Sequence, residues 1–123
     1  MSDLFQIRVV GELVHAELGR RFVISLAHLM SLWADVLHAA RGRGLRRVLI
    51  EGHGPERDMR PHDAYAHGDF LGNLERPGLR VAFCLYGYQP DKLTKHFMNV
   101  ATAGSCNVAF FDDLDAAIAW VGI

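Results

Sequence analysis

The chain has 123 residues, half of them hydrophobic, which is the size of one ordinary domain and enough to bury a core without staples. Thirteen lysines and arginines stand against fourteen aspartates and glutamates, for a net charge of −1, which argues against a nucleic-acid binder working through a broad basic surface. Two cysteines, Cys84 and Cys106, make no disulfide framework, and no apolar run approaches the ~20 residues that a membrane span needs.

The start, MSDLFQIRVVG, lacks a basic patch followed by a long apolar run, so no signal peptide is expected. A reduced, cytoplasmic protein is the natural expectation. LFQIRVVGELVHAEL then alternates apolar and polar residues on either side of Gly11. Phe5, Ile7 and Val9 share one face; Val14, Ala16 and Leu18 share another. Two half-buried strands joined by a tight turn fit this pattern. After GRRF the period changes to that of a helix, with Leu29, Leu32, Trp33, Val36, Leu37 and Ala40 in one stripe. Ser25 is the expected N-cap, and Gly42 and Gly44 end the helix with Arg41 and Arg43 at the negative end of its dipole.

RRVLIEG is a short, unalternating apolar run, as a strand covered on both faces reads. Residues 51–69, EGHGPERDMRPHDAYAHGD, hold three histidines and are broken by glycine and proline. A weak helix is expected from Asp63 to Glu75, with Ala66, Phe70 and Leu74 as its stripe and Pro77 and Gly78 as its stop. LRVAFCLYG is a second buried strand, in which Cys84 packs as a small hydrophobe. QPDKLTKHFMNVATAG is a helix with Pro90 in its first turn, a stripe of Leu93, Phe97, Val100 and Ala101, and Gly104 in a left-handed C-cap. NVAFF is a third strand. DDLDAAIAWVGI is a closing helix, capped by Asp112 or Asp113, with Leu114, Ala117, Ile118 and Val121 facing inward.

The order is ββαβαβαβα over a single domain, residues 1–123. It predicts an α/β fold: one mixed, mostly parallel sheet with helices on both faces and right-handed crossovers.

That order, together with RVAFCLYG and FMNVATAGSCNVAFFDDLDAAIAWV, resembles the STAS-related, SpoIIAA-like family, whose last third runs strand, helix, strand, acidic turn, paired alanines and a closing tryptophan. Here those elements are Asp112–Asp113, Ala116–Ala117 and Trp120. The likeness covers nearly the whole chain in element order and mainly residues 79–121 in detail. The better-known members are anti-sigma-factor antagonists, switched by phosphorylation of a serine in the loop after the third strand. The corresponding stretch here, LIEGHGPERDM, has no serine, threonine or tyrosine. The resemblance therefore implies the scaffold and an oligomer, without the phosphoserine switch.

Glu51 and His53 leave the carboxyl end of a predicted parallel strand, where ligands of open α/β sheets bind. Tyr86, Tyr88 and Gln89 leave the next strand at the same end and run into a helix amino terminus. Two aromatics, a histidine and a helix N-terminus suit a pocket for a mostly apolar ligand with an acidic head; the competing reading is a hydrophobic staple. His62 and His67 are five apart, a poor shared face on a helix, and with His53 they match no metal motif. No metal and no cofactor is expected. The chain has no G-x-S-x-G elbow, Walker loop or G-x-G-x-x-G fingerprint, so no catalytic residue is assigned. His28, His38 and His96 read as surface or boundary residues, and Trp33 and Trp120 as core anchors.

The reading that results is a non-catalytic STAS-like regulatory or interaction module. It would bind a protein partner or its own copy around His53, Tyr88 and the first-helix face. One alternative is a small apolar-ligand, lipid-like binding protein using Tyr86, Tyr88 and His53. Another is a hydrolase or metal enzyme using His53 as base and Glu51 as its orienting carboxylate.

Overall fold

A computed structural model describes residues 4–74 and 78–122. The sheet has five strands: β1 (Phe5–Val10), β2 (Leu13–Leu18), β4 (Arg47–His53), β6 (Leu79–Tyr86) and β7 (Cys106–Phe111), in that spatial order. β1 and β2 form an antiparallel hairpin whose turn starts at Gly11, with φ of 61°. That positive φ suits glycine in a two-residue hairpin turn. Every other pairing is parallel: Val14 lies beside Val48, Val48 beside Val81, and Val81 beside Val108. The fold is thus α/β with a mixed, mostly parallel sheet, in the order the hydrophobic pattern predicts.

Two strands of two residues each were not expected. β3 (Val23–Ile24) pairs in parallel with β5 (Glu56–Arg57), forming a small ribbon of its own beside the main sheet. The ribbon is extended by a hydrogen bond from Asp58 N to Ile24 O at 2.9 Å.

Helices cover both faces unequally. α1 (Leu26–Arg43), α2 (Pro61–Gly72) and α3 (Lys92–Ala103) share one core with the inward residues Val14, Val48, Ile50, Val81, Phe83 and Leu85. Among the described residues, α4 (Leu114–Val121) alone covers the opposite face, packing Ala117 and Val121 on Leu13, Leu49, Ala82 and Cys84. Trp33 is fully buried in the larger core. Trp120 is half-buried, with the Arg80 guanidinium 4.5 Å above its ring. α1 is capped by Ser25 and Gly44 as expected, with His28 N donating to Ser25 Oγ and Gly44 in the left-handed C-cap at φ 67°, whereas Gly42, also expected to end it, lies inside the helix.

Four local expectations are corrected. α2 starts at Pro61, which suits the first helical turn, with Arg60 as its N-cap residue and the Asp63 carboxylate accepting from Arg60 N. Its buried face is Ala64, His67, Gly68, Leu71 and Gly72; Ala66, Phe70 and Leu74 are only half-buried. The expected end at Glu75 and the stop at Pro77 lie outside the described residues. In α3, Asp91 is the N-cap and accepts from Thr94 N at 3.1 Å, so Pro90 precedes the helix. Gly104 is not left-handed; it has φ −79° and ψ −111°. Its lack of a Cβ serves packing instead: a Cβ there would lie 2.2 Å from Gly72 O. Gly68, Gly72 and Gly104 let the backbones of α2 and α3 approach closely.

Among the described residues, no helix is long and apolar enough to cross a membrane.

Candidate functional site

On the face of the sheet covered by α1, α2 and α3, towards the carboxyl ends of the parallel strands, these helices and the β3–β5 ribbon surround a cleft. It measures about 510 Å³ out to its open mouth, with a narrow interior of about 40 Å³. An interior of that size has room for a few water molecules at most. The lining is mainly aliphatic and aromatic, from Ile24, Leu32, Ile50, Leu85 and Phe97 among others. Four polar side chains interrupt it: Arg57, His67, Tyr88 and Thr94.

Three of these four form the rim. Arg57 on β5 reaches across to Asp91 at the start of α3 in a two-pronged ion pair, Nη1–Oδ1 at 2.9 Å and Nη2–Oδ2 at 2.6 Å. Arg57 Nη1 also donates to Tyr88 Oη at 3.3 Å. The Tyr88 hydroxyl lies 2.7 Å from Thr94 Oγ1, which in turn donates to Asp91 Oδ1. Hydrogen bonding to Asp91 raises the Arg57 pKa further above its ordinary value. The same bonds from Arg57, then that of the Thr94 amide, hold the Asp91 carboxyl well below the usual carboxylate range. A carboxylate so held is a poor general base.

The fourth, His67, lies deep in the cleft and is 4% exposed. Its ring stacks on Phe97, centroids 4.2 Å apart and nearly parallel. Trp33 Nε1 donates to its Nε2 at 2.8 Å. Burial lowers the His67 pKa from 6.5 to about 3, so the imidazole is neutral at neutral pH. From Phe97 the aromatic floor continues through Phe83 and Phe110, which stack at 4.7 Å, to Tyr88 at 5.8 Å from Phe110.

The other face of the sheet carries a separate polar cluster. Glu51 on β4 accepts from Tyr86 Oη at 2.7 Å through Oε2, and its Oε1 lies 2.9 Å from His15 Nε2. His53 stacks on the Tyr86 ring, centroids 4.7 Å apart. Burial first, and then the bond to Glu51, push the Tyr86 phenol above its ordinary pKa. Burial also pushes up both thiols, that of Cys106 to about 12, which leaves them poor nucleophiles.

The candidate residues are therefore divided by the sheet. Glu51, His53 and Tyr86 lie together on the α4 side, where Glu51 is held by His15 and Tyr86. Tyr88 lies on the opposite side and lines the cleft. Gln89 is exposed at the chain's exit from β6. The histidines at 53, 62 and 67 occupy three different places: stacked on Tyr86, exposed beside Asp63, and buried on Phe97. Among the described residues, no three His, Cys, Asp or Glu side chains converge where they would hold a metal ion.

Three residues escaped the sequence reading, Arg57, Asp91 and Thr94, and His67 was weighed there only as a metal ligand. Asp91 and Thr94 carry the spacing of an N-cap and its third helical residue, which is a legible signal. Arg57 carries none, because its partner is 34 residues away. Compared with protein-family models, curated proteins and solved structures, the chain matches none.

Proposed function

We propose that the chain is a non-catalytic, STAS-like binding module that holds a small, mostly apolar molecule in the cleft between α1, α2, α3 and the β3–β5 ribbon. The observation that carries this reading is the cleft's composition and place: an apolar interior with a few convergent polar groups, at the carboxyl edge of parallel strands.

The polar groups favour binding over chemistry. Arg57 and Asp91 neutralise each other, and the Thr94 hydroxyl is bonded to Tyr88 and Asp91. His67 has spent its one basic nitrogen on Trp33, so it lacks the free lone pair a general base needs. The interior is narrow, so an occupant larger than a few waters must displace the Arg57–Asp91 rim or the β3–β5 ribbon. Two-residue strands with exposed side chains at Glu56 and Arg57 are the low-stability elements from which such a gate is drawn.

The test is titration of the purified protein with ethylbenzene and with acetophenone, followed by the methyl resonances of Ile24, Leu32 and Ile50. Saturable shifts confined to cleft methyls are expected. Absence of saturable shifts with both compounds removes this reading.

Regulation through a protein partner or a second copy is the other reading, and one observation favours it. β1 is an edge strand, and Val10 at its end is 55% exposed. An uncovered edge is a template for strand addition. A concentration-dependent mass in light scattering, lost on Val10→Lys, is the expected result; a constant monomer mass removes self-association.

A further inference from the structure

We infer that His67 is the recognition group of the cleft: its Nδ1–H is a neutral hydrogen-bond donor reserved for a ligand oxygen, so the occupant carries a carbonyl-type acceptor on an apolar body. This rests on the binding reading above and adds the chemical class of the ligand.

The tautomer follows from the partner. An indole N–H donates and cannot accept, so His67 Nε2 must offer its lone pair to Trp33 Nε1. A neutral imidazole has one proton, which then sits on Nδ1. Trp33 is fully buried, and its ring lies 6.2 Å from that of His67. One nitrogen is thus fixed as acceptor and the other as donor by a group outside the cleft lining.

Nδ1–H has no protein acceptor among the described residues. Neither is it sealed away, because Arg80 Nε is the sole sealed and unpaired side-chain nitrogen or oxygen among them. One ring face is closed by Phe97, and the Nε2 edge is closed by Trp33. The side chain is itself part of the cleft wall. The remaining edge, with its N–H, therefore opens on the cleft. A buried donor without a partner costs free energy, and cleft water or a ligand oxygen relieves that cost.

The charge state narrows the class. A neutral donor in apolar surroundings suits a ketone, aldehyde, ester or amide oxygen. A carboxylate would bring an unpaired charge into the low-dielectric interior, and the one cation of the lining, Arg57, is already engaged by Asp91 at the rim. This differs from the acidic head that the strand-end aromatics suggested in the sequence.

The experiment compares acetophenone with ethylbenzene, two probes of one shape that differ in the carbonyl. Binding is followed by cleft methyl shifts, and the His67 ring by 15N-labelled imidazole resonances. Acetophenone is expected to bind about threefold to tenfold more tightly, the worth of one neutral hydrogen bond. It should displace the His67 Nδ1–H resonance, which ethylbenzene leaves in place. His67→Phe should bind both equally. If that variant does not fold, the imidazole resonances of the unaltered protein decide alone. Equal affinity for the two probes, an unmoved Nδ1–H, or a proton found on Nε2 overturns the inference while leaving the cleft a binding site. Failure of both probes to bind overturns the inference and the binding reading together.

Discussion

The indole N–H of Trp33 on α1 and Nε2 of His67 on α2 meet at 2.8 Å inside the core, with Trp33 fully buried and His67 nearly so. The pair joins the two helices by a directed bond in a region otherwise held by apolar contact. It also makes the fold sensitive to acid. Burial takes the His67 pKa from 6.5 to about 3, so the unfolded chain binds this proton at a pH where the folded chain does not. Above pH 6.5 neither state is protonated there and the residue adds no slope. As pH falls below 6.5, the unfolded state gains the proton first and stability falls, by up to about 1.4 kcal/mol per pH unit from this group. Urea unfolding across that window should show the slope in the natural protein, and His67→Phe should lose one proton's worth of it. Equal slopes would show that His67 titrates normally when folded.

The glycine contact between α2 and α3 gives a sharper stability prediction. A Cβ on Gly104 would meet the Gly72 backbone at 2.2 Å to O and 2.4 Å to Cα, and backbone atoms cannot swing aside as a flexible side chain can. Gly104→Ala should therefore destabilise by about 3 kcal/mol or more, beyond the usual range for overpacking. Gly42→Ala is the control. It lies within α1, with nothing within 4 Å of a built Cβ, so alanine should stabilise by about 0.5–1 kcal/mol. Thermal melts of the two variants should move in opposite directions.

Glycine and histidine also explain what the sequence hid. The parallel strands β4, β6 and β7, the hairpin and the faces of α1 and α4 were legible because apolar spacing alone defines them. The face of α2 was not. Its inward residues include Gly68, Gly72 and His67, which count as helix breakers and polar residues, while Phe70 and Leu74 on the flank look like a stripe. Gly104 looked like a C-cap, and its true reason, contact with Gly72, is a pairing across 32 positions that spacing cannot show. The site was partly legible. The strand ends were the right region, but a sheet has two sides, and one residue of parity separates Tyr86 from the cleft that Tyr88 lines two positions further on, past the Gly87 turn. β3 and β5 are too short to have a period at all.

At the rim, Asp91 binds Arg57 and caps α3, while Arg57 binds Asp91 and Tyr88. Arg57→Ala removes a partly exposed ion pair, worth at most about 1 kcal/mol after solvent screening. Asp91→Ala removes the same pair and also the N-cap of α3, which adds about 1 kcal/mol. Chemical denaturation should therefore rank Asp91→Ala as the more damaging of the two. Both variants release the β3–β5 ribbon from α3, and hydrogen exchange of the Asp58 amide, bonded to Ile24 O, should quicken in both. Unchanged exchange in Arg57→Ala would show that the ion pair does not hold the ribbon.

On the opposite face, Glu51 accepts a hydrogen bond from the Tyr86 hydroxyl through one oxygen and meets the His15 ring with the other. A phenol that is buried and donates to a carboxylate loses its proton late. Ionisation would place two negative charges side by side in partly desolvated surroundings. In Glu51→Gln the carboxamide oxygen can still accept the hydroxyl, so the fold should hold within about 1–2 kcal/mol. The Tyr86 pKa should fall only part of the way towards 10.0, because burial is the larger cause and stays. The linkage has a definite sign. The folded phenol keeps its proton longer than the unfolded one, so the stability drawn from Tyr86 is complete below pH 10.0 and is lost as pH rises above it. Glu51→Gln should soften that alkaline loss. The Tyr86 13Cζ shift against pH reads the ionisation directly. A variant curve that overlies the natural one would assign the shift to burial and Cys84 and leave the Glu51 bond without electrostatic weight.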